Sequence, residues 1–202
     1  KGVNYCPVTA CASASHAIGE AYRSVKYGQS DVVVAGGTES CLTILGVGGF
    51  CAIKALCKRN DEPARACRPF DKDRSGFVIA EGAGIVVLEE YEHAKARGAK
   101  IYCEMAGYGA TCDAYHMTAP DPEGKAAGKA IEIALKEAGV NLAEKIYINA
   151  HGTSTELNDK METQAIKNAF GPHAKDVWIS STKSMTGHTL GAAGGIEMVA
   201  TC

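Results

Sequence analysis

Cys11 and two histidines have the types and settings that acyl transfer chemistry uses. Cys11 sits in Val8-Thr9-Ala10-Cys11-Ala12-Ser13-Ala14-Ser15, with small residues on both sides. A thiolate is a strong nucleophile and can carry an acyl group as a thioester. Small neighbours leave room for a substrate to approach. A turn from a short apolar stretch into a helix would also place the thiol at a helix N-terminus. There the positive end of the backbone dipole favours the thiolate. The same residues fit a second reading, a structural cysteine packed by alanines, because free cysteine behaves as a small apolar residue.

His151 opens His151-Gly152-Thr153-Ser154-Thr155, directly after Ile146-Tyr147-Ile148-Asn149-Ala150. His188 closes Thr182-Lys183-Ser184-Met185-Thr186-Gly187-His188, directly after Val177-Trp178-Ile179-Ser180-Ser181. Each would stand just beyond the carboxyl end of a strand, where open α/β sheets build their sites. One such histidine is ordinarily a satisfied polar residue; two in matching settings beside small residues form a pattern. Two neutral imidazoles can donate hydrogen bonds to one carbonyl oxygen and stabilise an enolate as it forms. Decarboxylation of a malonyl thioester needs that stabilisation, and the resulting carbanion can attack an acyl-cysteine. His16, His93, His116 and His173 lie in weaker contexts.

The elements that must position these groups follow an α/β pattern, with short apolar runs alternating with helix-like stretches. Val32–Ala35, Ile85–Leu88, Ile146–Ile148 and Val177–Ile179 read as buried strands. Ile18, Ala21, Tyr22 and Val25 recur at helical spacing, and Gly28 supplies a stop. Further helices are predicted over Glu89–Arg97, over Ala127–Ala138 and over Asp159–Phe170, ending at Gly98, Gly139 and Gly171-Pro172. Gly191-Ala192-Ala193-Gly194-Gly195 opens a last helix running to Ala200, with little side-chain bulk to hold neighbours away. Lys58–Asp73 is the longest irregular stretch and reads as an insertion. The chain begins a few residues before Cys11 and ends within a helix, so it reads as a segment of a longer polypeptide.

With 202 residues, 46% of them apolar and 22% charged, the chain can bury a substantial core. A net charge of −2, from 21 basic and 23 acidic residues, gives no field favouring nucleic acid or an anionic membrane. No apolar run is long enough to span a bilayer, and the opening Lys1–Tyr5, which has no apolar core, is not expected to be a signal peptide, leaving open a targeting segment cleaved upstream. The nine cysteines include no CxxC pair, which argues against a structural zinc site. They are expected to be free, mostly buried thiols of a reducing compartment.

Taken in order, the motifs resemble the elongating β-ketoacyl-acyl-carrier-protein synthases, types I and II, with type II the nearer. The resemblance runs through Thr9-Ala10-Cys11-Ala12-Ser13, Ala35-Gly36-Gly37-Thr38-Glu39, Arg68-Pro69-Phe70-Asp71, Gly82-Ala83-Gly84 and Asp113-Ala114-Tyr115-His116-Met117-Thr118. It closes with Asn149–Thr155 and Thr182–His188. It implies an α/β, thiolase-like five-layered αβαβα fold, of which this chain is an incomplete portion. The nucleophile-bearing end of the first half would run to about residue 105, and the second half would start at about 106. It implies Cys11 as the acylated nucleophile, His151 and His188 as the catalytic histidines, and Lys183 as the active-site lysine, with Glu197 its supporting acid. Thr153 and Thr155 correspond to threonines that contact the carrier's pantetheine arm. Asp113 and His116 correspond to a gating loop.

The implied reaction is decarboxylative condensation of malonyl-carrier protein with an acyl group on Cys11, without metal or organic cofactor. The implied partners are acyl carrier protein bearing acyl or malonyl groups and a second copy in a homodimer; no nucleic acid or membrane is expected. Cys112-Asp113-Ala114-Tyr115-His116 and Leu157–Thr163 are similar to plastid enzymes of apicomplexan parasites, so a plastid stroma or a bacterial cytoplasm is the expected location. Ser75 stands where the family usually has aspartate, and Ala80 where it usually has glycine; both are expected away from the three catalytic positions. The family's early strands, first-half gate residue and C-terminal glycine-rich loop, which supplies one oxyanion N–H, are expected outside these residues.

Other readings make different demands. A synthase III or chalcone-synthase type would use asparagine with cysteine and histidine, against which the Gly187-His188 context argues. A thiolase would need a second cysteine in glycine-rich surroundings, which Cys202 lacks. A non-catalytic partner subunit would replace the nucleophile, whereas Cys11 is present. An inactive fragment of a condensing enzyme is the remaining alternative.

Overall fold

The computed structural model describes residues 2–202, and the chain divides into two compact units. The first comprises Lys1–Ser40, Glu81–Met105 and Thr189–Cys202; the second comprises Cys41–Ala80 and Ala106–His188.

In the first unit, β1 (Val32–Glu39) pairs antiparallel with β2 (Gly82–Glu89), from Val32 opposite Glu89 to Glu39 opposite Gly82. Two helices pack on this ribbon, α1 (Ser13–Lys26) mainly on β1 and α7 (Ala193–Thr201) mainly on β2. Of the predicted stripe on α1, Ile18, Ala21 and Tyr22 are buried and Val25 is half-buried, and Ala14 is buried with them. The small residues have a direct reason. A Cβ on Gly84 would stand 2.2 Å from the backbone of Gly195, and one on Gly37 would stand 2.5 Å from the carbonyl oxygen of Gly191. A short helix, α3 (Tyr91–Ala96), follows β2 and is capped by the Glu90 side chain, which accepts from the His93 N–H at 2.7 Å.

The expectation of fully buried strands is corrected here. Val34 and Val87, paired across the ribbon, are 67% and 60% exposed, and Val32 and Ile85 on the same face are also exposed. The helices cover one face only, so side chains that alternate along each strand meet solvent on the other. The short apolar stretch before Cys11 belongs to residues 2–9, which carry no regular structure.

In the second unit, β3 (Tyr147–Asn149) and β4 (Trp178–Ser180) form a parallel pair in register, Tyr147 with Trp178 and Asn149 with Ser180. Trp178 and Ile179 are exposed, so β4 too departs from the buried expectation. The unit also contains α4 (Lys125–Ala138) and α5 (Glu156–Phe170), which pack on each other, and the short α6 (Lys183–Thr186). Helix α5 begins three residues before the predicted Asp159, because the Thr155 side chain caps it and Glu156 favours its positive end. Helix α2 (Ile44–Ala52) was not predicted. Its glycines and apolar residues on all sides carry no helical period, and Thr43 supplies the cap by accepting from the Gly46 N–H at 3.1 Å.

The cysteines require a second correction. None of the nine is in a disulfide, and none is buried: Cys11, Cys41, Cys57 and Cys67 are half-buried, and the others are exposed. Among the described residues no helix is long and apolar enough to cross a membrane.

Candidate active site

In the first unit, Cys11 lies within a single 3-10 turn, Ala10–Ala12, that runs straight into α1. The turn is braced from the helix. The Ser13 hydroxyl accepts from the Thr9 N–H at 2.9 Å and donates to the Ala10 carbonyl at 2.7 Å. His16 Nδ1 meets the Thr9 hydroxyl at 2.7 Å. Ala10 is thereby held at φ +50°, a left-handed conformation that costs an alanine free energy and that the braces must offset. The thiol stands two residues ahead of a fourteen-residue helix, where the backbone dipole favours negative charge. Glu197 is in this unit as well, half-buried on α7.

In the second unit, the two parallel strands end side by side. His151 follows β3 by two residues, and Lys183 follows β4 by three. The backbone at His151 is fixed by Glu162 on α5, whose carboxylate accepts from the His151 N–H at 2.7 Å and the Gly152 N–H at 2.8 Å. Gly152 has φ +39°, and a Cβ there would lie 2.5 Å from that of Ser181. The position therefore demands glycine on both conformational and steric grounds. Ser181 donates its hydroxyl to the Gly152 carbonyl at 2.9 Å, tying the two strand ends together.

His188 reaches the same place by another route. Its N–H donates to the Val78 carbonyl at 2.7 Å, and its carbonyl accepts from the Ala80 N–H at 3.0 Å. Ala80 is thus bonded to a predicted catalytic position, which corrects the expectation that it lies away from one. Phe77 presents its ring to His188 at 5.2 Å between centroids. The rings of His151 and His188 are also 5.2 Å apart, nearly perpendicular at 86°.

Lys183 is 1% exposed, and its Nζ lies 3.4 Å from His151 Nδ1. An ammonium has no acceptor, so the ring nitrogen accepts and the imidazole proton is assigned to Nε2. Burial and the Lys183 charge push the His188 pKa down to about 3. His151 is half-buried as a residue, yet loss of hydration at its ring is the largest cause holding its pKa well below 6.5, followed by Lys183 and His188. Both rings are neutral at physiological pH, and a neutral imidazole can donate one N–H.

Thr153 is buried, with its hydroxyl 2.8 Å from that of Thr155, which also caps α5. Asp113 and His116 are exposed and shape their own loop. Asp113 accepts from the Asp121 N–H at 2.9 Å, and His116 Nδ1 accepts from the N–H groups of Thr118 and Ala119, each at 3.1 Å.

Sequence reasoning missed several supports. Besides Glu162, the stretch read as an insertion is a buttress of the His151 loop. Asp159 accepts from the Phe70 N–H at 2.7 Å, Ser154 accepts from the Arg68 N–H at 3.0 Å, and Arg74 donates to the carbonyls of Thr155 and Glu156. The one available signal was the Arg68-Pro69-Phe70-Asp71 motif, which offers one backbone N–H to Ser154 in the loop after His151 and one to Asp159 of α5.

This geometry has close counterparts. Residues 1–94 match the β-ketoacyl synthase N-terminal domain family, and residues 102–202 match its C-terminal domain family. The chain belongs to the β-ketoacyl synthase family. It is 59% identical over 201 residues to the 3-oxoacyl-[acyl-carrier-protein] synthase 2 of Synechocystis sp., covering 100% of this chain and 48% of that protein. It is 52% identical over 199 residues to the synthase 2 of Staphylococcus aureus, covering 98% of this chain and 49% of that one. Among solved structures it is similar to a type II PKS ketosynthase in complex with its acyl-carrier protein, with a TM-score of 0.91 and 46% identity over 98% of this chain and 50% of that one. The fold is therefore the thiolase-like ketosynthase fold, and the chain spans about half the length of the curated relatives it matches.

Proposed function

We propose that the protein acts as a 3-oxoacyl-[acyl-carrier-protein] synthase, a condensing enzyme of fatty acid biosynthesis. The observation that carries this reading is the pair of neutral imidazoles 5.2 Å apart, with Lys183 directing the proton of His151 to Nε2. Such a pair is made to donate to an oxygen that gains charge.

The Cys11 thiolate attacks the thioester carbonyl of an acyl-carrier protein, and the carrier's thiol leaves. Malonyl-carrier protein then loses carbon dioxide, and the electron pair of the broken bond moves onto the thioester oxygen as an enolate. The N–H groups of His151 and His188 stabilise that oxygen. The carbanion attacks the acyl-Cys11 carbonyl, a carbon–carbon bond forms, and the Cys11 thiolate is expelled, leaving 3-oxoacyl-carrier protein. The chemistry asks for no metal or organic cofactor. The names of the synthase 2 relatives and the carrier-bound ketosynthase support this assignment.

The remaining assignments belong to the same reading. Lys183 positions His151, and Glu197 is its supporting acid. Thr153 and Thr155 contact the carrier's pantetheine arm, and the loop with Asp113 and His116 gates access. The nucleophile half runs to about residue 105 and the second half starts at about 106. The enzyme works as a homodimer in a reducing compartment, a bacterial cytoplasm or a plastid stroma; its bacterial relatives support that location.

Mixing the protein with acyl- and malonyl-carrier protein should release carbon dioxide and yield 3-oxoacyl-carrier protein, read by intact mass. Malonyl-carrier protein left whole beside an acylated enzyme would rule out the condensing role.

A further inference from the structure

Two cysteines outside this chemistry lie in contact. Cys103, in the segment that follows α3, and Cys202, which caps the C-terminus of α7, have sulfurs 3.2 Å apart. Both are exposed and both belong to the first unit. A disulfide needs its sulfurs at about 2 Å, so closure asks for a shift of about 1 Å. Exposed side chains can supply that by a small χ1 rotation, and their exposure admits an oxidant.

We propose that Cys103 and Cys202 form a redox-active dithiol, oxidised to a disulfide by a low-molecular-weight disulfide such as glutathione disulfide. Closure would tie Cys202 beside α7 to the segment after α3.

The order of events follows from the pair itself. Burial and the neighbouring Cys103 sulfur push the Cys202 thiol up to about 11, so Cys202 keeps its proton and is the poorer nucleophile of the two, leaving the first attack to Cys103. The Cys103 thiolate attacks one sulfur of glutathione disulfide, that bond breaks, and one glutathione thiolate leaves. Cys103 then carries no charge, and one of the causes holding the proton on Cys202 is removed, with burial remaining. Cys202 loses its proton, attacks the Cys103 sulfur and expels the second glutathione. Two protein thiols are oxidised and one glutathione disulfide is reduced, so atoms and electrons balance.

The test incubates the reduced protein with glutathione disulfide, blocks remaining thiols with N-ethylmaleimide and maps peptides without reduction. The expected product has lost two hydrogen masses and yields one linked peptide pair containing Cys103 and Cys202. Thermal unfolding should shift upward, because the link restricts a loop of 99 residues in the unfolded chain. Cys202→Ser should trap glutathione on Cys103, and Cys103→Ser should yield no linked peptide pair. Exposed Cys6 and Cys112 report whether the reagent reaches surface thiols. If those two react while Cys103 and Cys202 stay unlinked, or if either pairs with another cysteine, the proposal is overturned.

Discussion

Lys183 sets the behaviour of both histidines. Its ammonium fills His151 Nδ1, and its charge is a cause of the low pKa at each ring. Lys183→Met should therefore let the His188 pKa rise from about 3 toward 6.5, and should free His151 to populate the Nδ1–H tautomer. Nitrogen-15 NMR of the imidazoles would show both changes; an unmoved His188 titration would mean that burial alone sets it. For the reaction, His188→Ala removes one donor to the enolate oxygen. Malonyl decarboxylation should fall about 100- to 1000-fold while acylation of Cys11 continues. Equal loss of both steps would refute that division of roles. At this scale the sequence made part of the site legible: a histidine beyond each strand, and a cysteine ahead of a helix. Glu162 was not legible. Its contribution is two hydrogen bonds to backbone N–H groups ten and eleven residues away, and no residue type or spacing announces a backbone acceptor.

Elements hold these side chains through close backbone approach. Gly84 of β2 has no room for a methyl group against Gly195 of α7. Gly84→Ala should cost about 1–3 kcal/mol, the usual range for overpacking, measured by urea unfolding. Gly48 in α2 is the contrast, since a Cβ there meets nothing within 4 Å and its φ is ordinary. Gly48→Ala should leave stability unchanged or raise it by about 0.5–1 kcal/mol. Destabilisation at Gly48, or none at Gly84, would show that the packing of these helices is wrong. Strand and helix positions were largely readable because period and glycine stops are local signals. What lies on each face was not. Val34 and Val87 have strand composition, yet only the pairing and the one-sided helices show that they face outward. The tie from Arg68–Asp71 to Ser154 and to Asp159 of α5 is likewise tertiary, spanning 86 and 89 residues in its two side-chain bonds.

For the whole molecule, the neutral histidines couple stability to pH. Between 6.5 and about 3 an unfolded chain protonates the residue that is His188, while the folded protein does not. The unfolded state then binds more protons, so stability falls as pH drops through that window and is fully present above 6.5. Denaturant titrations across the window should show this slope, and His188→Gln should flatten it; an unchanged slope would assign it to other groups. The account as a whole rests on Cys11 as the acyl carrier. The most direct test incubates the longest polypeptide carrying these residues with an acyl-carrier-protein donor, beside its Cys11→Ala variant, and locates added acyl mass by peptide mass spectrometry. One acyl group on the Cys11 peptide, absent from the variant, is the predicted result. Acylation elsewhere, or equal labelling of the variant, would contradict it.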